Sequence, residues 1–479
     1  MTITEIFALE GASAKITELK KIDTSLPAID TFNAQWDPLK HDIFDTTLRP
    51  DKPIKEETEL PDGTVTSQTA RFEKVARIAI ALQKLIVGRR VAFMFGNPVN
   101  VKADAETDKQ KEVLKAVKRI LTDNKINSTN RKLARALFRS TEVAEYWYAV
   151  KDESKKEHHG ITTPFKMKVA VFSPALGDIL YPLFDEYGDL VAFSREYTRI
   201  EQSKEITYFD TWTSDRSARF KKTSGDWEEL AISTEPVAKE YQLGKIPIIY
   251  ARQDQVEWAD VQILIDRLEK LLSNFADTND YHAAPKIFVR GHITGFSKKG
   301  ESGAIIEGDE NSEATYLSWQ NAPESVKLEI ETLLQLIYTI TQTPDISFES
   351  IKGIGAVSGI ALKLMFTDAH LAVEDKMEIF DEYLQRRLNL LKAFVSKLDT
   401  KLAAEAETLE ISAEVTPYMI SDEASLMNWI NIANGGKPVI SHRTSIEQAG
   451  IAKDTDAEFE AIQKETKESQ TANIFEPTV

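Results

Sequence analysis

The chain has 479 residues, 42% of them hydrophobic and 28% charged, with a formal net charge of −17 and no cysteine. At about 150 residues per domain this is enough for roughly three domains. The missing cysteines exclude disulfides, thiolate metal sites and cysteine nucleophiles, and the acidic balance argues against a broad grip on nucleic acid, which depends on Lys and Arg neutralising phosphates.

The N-terminal run MTITEIFALEGASAKITELKK lacks the basic-then-apolar order of a signal peptide. No apolar run approaches the roughly 20 residues needed to span a bilayer, so a soluble intracellular protein without a membrane partner is expected. Residues 1–60 are mixed, with turn signals in LRPDKP and LPDG. Residues 68–95 carry a helical pattern ending in LIVGRRVAFMFGNPV. Residues 105–140 read as two helices, and from Lys102 to Arg139 there are 11 basic and 5 acidic residues. That surplus fits a solvated face or a contact surface for an acidic neighbour.

Residues 142–250 change character. AEYWYAV, KVAVFSP, ILYPLFD, LVAFSREYTRI and EITYFDTWT are short aromatic and β-branched runs, punctuated by DEYGD and TSGD. They predict an antiparallel β-rich layer. Residues 256–279 read as a helix with Leu264, Leu268, Leu271 and Phe275 on one face. PKIFVRGHITGF, AIIEG and EATYLSW predict a small β-unit near 285–319. A second helix carries Val326, Ile330, Leu333, Ile337 and Ile340 on one stripe and stops at Pro344.

SIKGIGAVSGIALKL follows, with Gly353, Gly355 and Gly359 in seven positions. A helical pattern then runs from Ser358 to about Leu402, with Arg387 as the one polar break in its stripe. About 43 helical residues would extend roughly 64 Å. LEISAEVTPYM reads as one strand, and helices follow in SDEASLMNWINIA and DTDAEFEAIQKETKES. From Asp399 to Val479 there are 15 acidic and 6 basic residues. The last residues, SQTANIFEPTV, are expected to be disordered.

Catalytic chemistry finds no motif. A dinucleotide fingerprint needs a strand, a glycine turn, a helix and a ribose-binding acid. Here polar TPDISFESIK precedes the glycines, the spacing is GxGxxxG, and one uninterrupted helix follows. GFSKKGES nearly matches a P-loop but puts Glu301 where the lysine must stand. Of the seven histidines only His158 and His159 are close, and adjacent residues rarely face one ion. No catalytic residue, cofactor or metal site is expected. The glycines read better as backbone freedom at a mobile loop, with Ser358 as N-cap of the long helix. A nucleotide-binding enzyme using Gly353, Gly355 and Gly359 stays as the alternative.

The order of these parts resembles the portal proteins of tailed double-stranded DNA bacteriophages, in the siphophage-type branch. RVAFMFGNPVNV resembles a strand-turn segment of that family. FSREYTRIEQSKEITYFDTWTSDRSARF with GDWEEL resembles its wing sheet, and GKIPIIYARQDQVEWADVQILIDRLEKLLSNFADTNDYHAAPKIFVRG its strand, stem helix and entry to the clip. ISFESIKGIGAVSGIALKLMF is similar to its tunnel loop and helix start. The run from EVTPYM to AIQKE is similar to its ending. The resemblance covers about residues 70–468, and the first 65 residues match nothing recognisable.

The resemblance implies an α+β portal fold. It has an α/β wing with an antiparallel β-rich layer (1–253), stem helices (254–279 and 322–343), a small β-containing clip (280–321) and a tunnel loop (344–357). A long tunnel helix with a returning wing strand (358–420) and a helical crown with tail (421–479) complete it. It implies a structural, non-catalytic protein that forms a homo-oligomeric ring of about twelve subunits at one capsid vertex. Double-stranded DNA would pass through the channel during packaging and ejection. Terminase, major capsid or scaffold protein and a head–tail adaptor would be partners, in the virion after assembly in the host cytoplasm. Ser347, Glu349, Ser350, Lys352, Gly353 and Gly355 would face DNA on the tunnel loop, Lys352 as its lone cation. Another phage connector component is the second alternative.

Overall fold

The structure is a computed structural model. It describes residues 1–22, 25–59, 65–152, 154–230, 243–283, 286–291, 293–296, 306–308, 313–317, 322–345, 364, 366–418, 423–435, 438–452 and 455–473. Two compact units are present: Met1–Pro344 with Ala369–Tyr418, and Asp345–Asp368 with Met419–Val479.

The first unit opens with three short helices, α1 (Ile3–Phe7), α2 (Ala12–Leu19) and α3 (Ile29–Trp36), then two 3-10 turns at Pro38–Lys40 and Asp42–Phe44. Strands β1 (Lys52–Glu59) and β2 (Val65–Glu73) pair antiparallel, with Lys52 opposite Glu73. The helical pattern expected from residue 68 is therefore corrected: residues 65–73 are a strand, and helix α4 covers only Leu82–Phe95. Ser67–Glu73 are exposed on both faces, so the strand shows no apolar alternation. Its Thr and Val residues and an antiparallel partner decide the conformation. RVAFMF is likewise the end of a helix, not a strand.

The strand beyond that turn is β3 (Asn100–Ala103). Helices α5 (Asp108–Asp123) and α6 (Ile126–Ser140) follow as the sequence predicts. A capping box starts α5: the Gln110 N–H donates to Thr107 Oγ1 at 3.2 Å and the Thr107 N–H to Gln110 Oε1 at 3.1 Å. The two helices bury Val113, Val117, Ile120, Leu133, Leu137 and Phe138, all at helical spacing.

The β-rich layer is two antiparallel sheets. One joins β4 (Glu142–Lys151) to β5 (Phe165–Phe172) and to β11 (Ile248–Arg252); the other runs through β6 (Ile179–Phe184), β7 (Leu190–Glu201), β8 (Lys204–Trp212), β9 (Ser217–Lys222) and β10 (Glu228–Leu230) in sequence order. Between β7 and β8, Gln202 and Ser203 both hold left-handed backbone, φ 49° and 63°, the twist a two-residue hairpin requires. The second sheet is buried on both faces. Tyr181, Ala192 and Phe209 pack with Ile6, Ile16 and Leu19 of the N-terminal helices. Leu180, Phe193 and Trp212, pointing the other way, pack with Ala144, Tyr146, Phe172 and Ile248 of the first sheet.

Helix α7 (Gln262–Ala283) leads to two small antiparallel pairs, β12 (Lys286–Arg290) with β15 (Glu313–Leu317), and β13 (Ile293–Phe296) with β14 (Ile306–Gly308). Helix α8 (Ala322–Ile340) returns alongside α7. Helix α9 spans Thr367–Leu398, about 48 Å long. The pattern expected from Ser358 to Leu402 is thus divided. Its first residues lie outside the described ones, and beyond Leu398 the chain makes a 3-10 turn, Thr400–Leu402, and a separate helix α10 (Ala403–Thr408). Asp399 breaks the run by accepting the Lys401 N–H. Strand β16 (Ile411–Glu414) then pairs antiparallel with β3. The returning chain reaches Gly96, where an added Cβ would come within 2.8 Å of Tyr418 Cβ; the Tyr418 N–H donates to Phe93 O at 2.6 Å. The Gly in GNP is required by this close approach.

The second unit contains α11 (Glu423–Asn434), α12 (His442–Ala449) and α13 (Thr455–Asn473). Ser441 caps α12 by accepting the Thr444 N–H, and Asn434 Nδ2 donates to Ser445 Oγ at 2.7 Å. Helix α13 continues through SQTAN, part of the tail expected to be disordered.

Candidate functional site

Ser347, Glu349, Ser350, Lys352, Gly353 and Gly355 lie outside the described residues, as do Ser358 and Gly359. The structure does show how both flanks of that segment are held. Helix α8 ends at Ile340. Gln342 turns left-handed, φ 49°, the Thr343 N–H returns to Tyr338 O at 2.9 Å, and Pro344 prevents continuation. Two arginines of α4 collect the carbonyls left over. Arg90 donates from Nη2 to Thr341 O at 2.8 Å and from Nη1 to Ala372 O, in α9, also at 2.8 Å. Arg89 donates to Pro344 O, and its guanidinium lies 5.7 Å from the Tyr338 ring centre. One helix therefore grips the chain before and after the glycine segment. Cations suit the C-terminal end of α8, where unpaired carbonyls carry the negative end of the dipole.

Burial lowers the Arg90 pKa, and the Glu257 and Asp375 carboxylates oppose that shift. Glu257 also takes Lys376 of α9 at 3.1 Å. Sequence reasoning missed this clamp. Its only signal is the GRR triplet at 88–90, inside an otherwise apolar helix.

The far half of α9 is fixed by a buried ion pair. Arg387 and Glu145 of β4 are 3% and 0% exposed. Arg387 donates from Nε to Glu145 Oε1 at 2.8 Å, from Nη2 to Oε2 at 2.5 Å, and from Nη1 to Asn130 Oδ1 at 2.8 Å. Tyr383 OH donates to Glu145 Oε2 at 3.1 Å, and Trp147 Nε1 donates to Oε1. Burial alone would lower the Arg387 pKa; the charge and hydrogen bonds of Glu145 reverse this and leave it raised. The polar break seen in the helix stripe is thus a bidentate anchor.

The N-terminal residues grip α7. Glu269, Ser273 and Asp277 stand four apart on that helix. They accept the backbone N–H groups of Ile80, Ile78 and Ala76, two apart on an extended chain, at 2.8, 2.9 and 2.7 Å. The pitches match: four helical residues rise about 6 Å and two extended ones about 6.6 Å. His41 completes the joint, with Nδ1 2.7 Å from Glu269 Oε1 and Nε2 2.8 Å from Gln35 O. Both partners are acceptors, so only the imidazolium satisfies both ring nitrogens. Burial alone would lower the His41 pKa, but Glu269 and the other partners raise it above its ordinary value. Further along α7, Arg49 Nη2 donates to Asp277 Oδ2 at 2.8 Å.

The expected apolar stripes of α7 and α8 face inward over most of their length: Leu268, Leu271, Leu333 and Ile337 are buried, Leu264, Phe275, Val326 and Ile330 half-buried, and Ile340 is 49% exposed. Off those stripes, Ile263 and Leu328 are 80% and 65% exposed. His159 is structural: Nδ1 lies 2.9 Å from Asp123 Oδ2 and Nε2 accepts the Met167 N–H at 2.9 Å. Among the described residues no cluster of three His, Asp or Glu side chains could hold a metal ion, and no helix is long and apolar enough to cross a membrane.

A family described as phage portal protein, SPP1 Gp6-like, matches residues 39–472. Among solved structures, a chain in the neck of an empty gene transfer agent particle, computed with C6 symmetry, aligns at 12% identity and TM-score 0.41, covering 77% of this chain and 89% of that one. A chain in the neck of the native particle, computed with C12 symmetry, aligns at 12% identity and TM-score 0.40, covering 78% and 93%. At such similarity these likenesses do not bear on activity or partners. Among curated proteins, none matches the chain.

Proposed function

The chain belongs to the phage portal protein family of SPP1 Gp6-like type, whose place is a capsid vertex of the virion, and on that premise we propose that it closes into a ring that double-stranded DNA crosses during packaging and ejection. In this reading α7 and α8 are the stem, the β12–β15 and β13–β14 pairs are the clip that meets terminase and later the head–tail adaptor, and residues 344–357 are the tunnel loop. The protein carries no catalysis of its own. Its contribution is a channel and a docking ring.

The observation that carries this is the grip of Arg89 and Arg90 on both roots of the glycine segment. A loop that flexes against a moving duplex needs glycines within and rigid attachment at its ends. The outward Ile263, Leu328 and Ile340 side chains support the ring, since heterologous contacts with neighbouring copies would cover them. The acidic balance supports a passage. A wall rich in Lys and Arg would trap DNA through counterion release.

Lys352 then supplies one weak phosphate contact per subunit. Lys352→Ala is expected to slow packaging in a reconstituted assay while rings form normally. Normal packaging rates would remove Lys352 from the mechanism.

A further inference from the structure

A strongly basic surface of the first unit has almost no ion-pair partner among the described residues. On α5, Lys111, Lys115 and Lys118 are exposed at spacings of four and three; on α6, Arg131, Lys132 and Arg135 are exposed as well. Lys111 reaches only Asp108, at 3.4 Å with both side chains well solvated. The other five make no ion pair among the described residues. Beneath them the helices are held by a full apolar layer, so the charged face is rigid.

Helix α9 carries the opposite pattern. Glu374, Glu378 and Asp381 are exposed at spacings of four and three and make no ion pair among the described residues. Asp375 and Glu382 flank them; Asp375 lies 3.8 Å from Lys376, and Glu382 pairs with Arg386. Both stripes are helical, both span about 10 Å, and their charges are opposite at the same pitch. Among the described residues no ion pair joins them. A patch on one copy that fits a different patch on the next is the arrangement that lets a ring close.

We infer that the α5–α6 basic face of one subunit docks on the Glu374–Glu378–Asp381 stripe of its neighbour, an inference that rests on the ring proposed above. The occupant is a second copy of this chain, held by exposed ion pairs that salt weakens. The local excess of Lys and Arg in an acidic chain then serves subunit registration.

The absence of cysteine gives a direct test. In the full-length protein, Lys115→Cys with Glu378→Cys is treated with a short bismaleimide and run under denaturing conditions. A ladder of multimers is expected from the double variant and from neither single variant. In parallel, Lys111→Glu/Lys115→Glu/Lys118→Glu is expected to weaken ring assembly at low salt by about tenfold, the sum of three exposed pairs. Glu374→Lys/Glu378→Lys/Asp381→Lys is expected to do the same, and the combined variant to recover. Rings of normal native mass without a ladder, and without sensitivity to either reversal, overturn the inference and leave the ring reading standing. Rings that persist while the basic reversal abolishes retardation of a DNA duplex overturn it in favour of a nucleic-acid surface. A wild-type chain that forms no ring, with no ladder from the double cysteine variant, overturns both.

Discussion

Two buried carboxylates hold the two principal helices of the first unit, and they differ in the cation they face. Glu145 meets Arg387, which stays charged at any physiological pH. Glu269 meets His41, which does not. Both acids are almost completely buried, so each joint depends on its partner's charge. The α9 anchor is therefore permanent, whereas the His41 contact within the grip of residues 41–80 on α7 is conditional on protonation.

The largest effect expected from breaking this contrast is at Arg387. Arg387→Met leaves Glu145 buried without its cation and should cost about 3–5 kcal/mol in denaturant unfolding. Replacing Glu145 by Leu at the same time should recover part of that loss: the uncompensated buried charge goes, but Tyr383 OH, Trp147 Nε1 and Asn130 Oδ1 lose their partners. No recovery in the double variant would place the cost in those orphaned groups and not in the buried charge.

Arg90→Ala comes next. It strips the C-terminal end of α8 and the Ala372 carbonyl of a shared charged donor, and about 2–3 kcal/mol is expected. Hydrogen exchange should quicken at 341–344 and 369–376 before it does elsewhere. Unchanged exchange there would mean that the glycine segment is rooted by other contacts.

The smallest effect is the pH response of the conditional joint. The folded His41 pKa is raised, so the folded state binds the proton more tightly than the unfolded chain. That stabilisation is fully present below about pH 6.5 and is lost as pH rises through the folded value. His41→Gln should flatten the fall in stability across that range and leave the Arg387 joint untouched. An unchanged slope in His41→Gln would assign the pH response to another group.

The sequence made some of this legible. Helices α5 and α6 and the sheets announce themselves by apolar periods of 3–4 and by dense aromatic and β-branched runs. Strand β2 does not, because its described side chains face solvent on both sides and it is defined by pairing with β1. The joints were invisible for a different reason. Arg387 showed as a flaw in a stripe, but its partner Glu145 is 242 residues away. Nothing local marks Ala76, Ile78 and Ile80 as the mates of α7. Arg89 and Arg90 sat in plain view, but their acceptors are backbone carbonyls, which carry no residue-type signal.

The central claim is that copies of this chain close into a ring around a channel. Negative-stain microscopy of the purified protein beside its native mass tests it most directly. Annular particles with a central hole are expected, at about twelve times the 53.9 kDa chain mass. Compact monomers or dimers without a hole, unchanged when the protein is concentrated or supplied with scaffold protein, would contradict it.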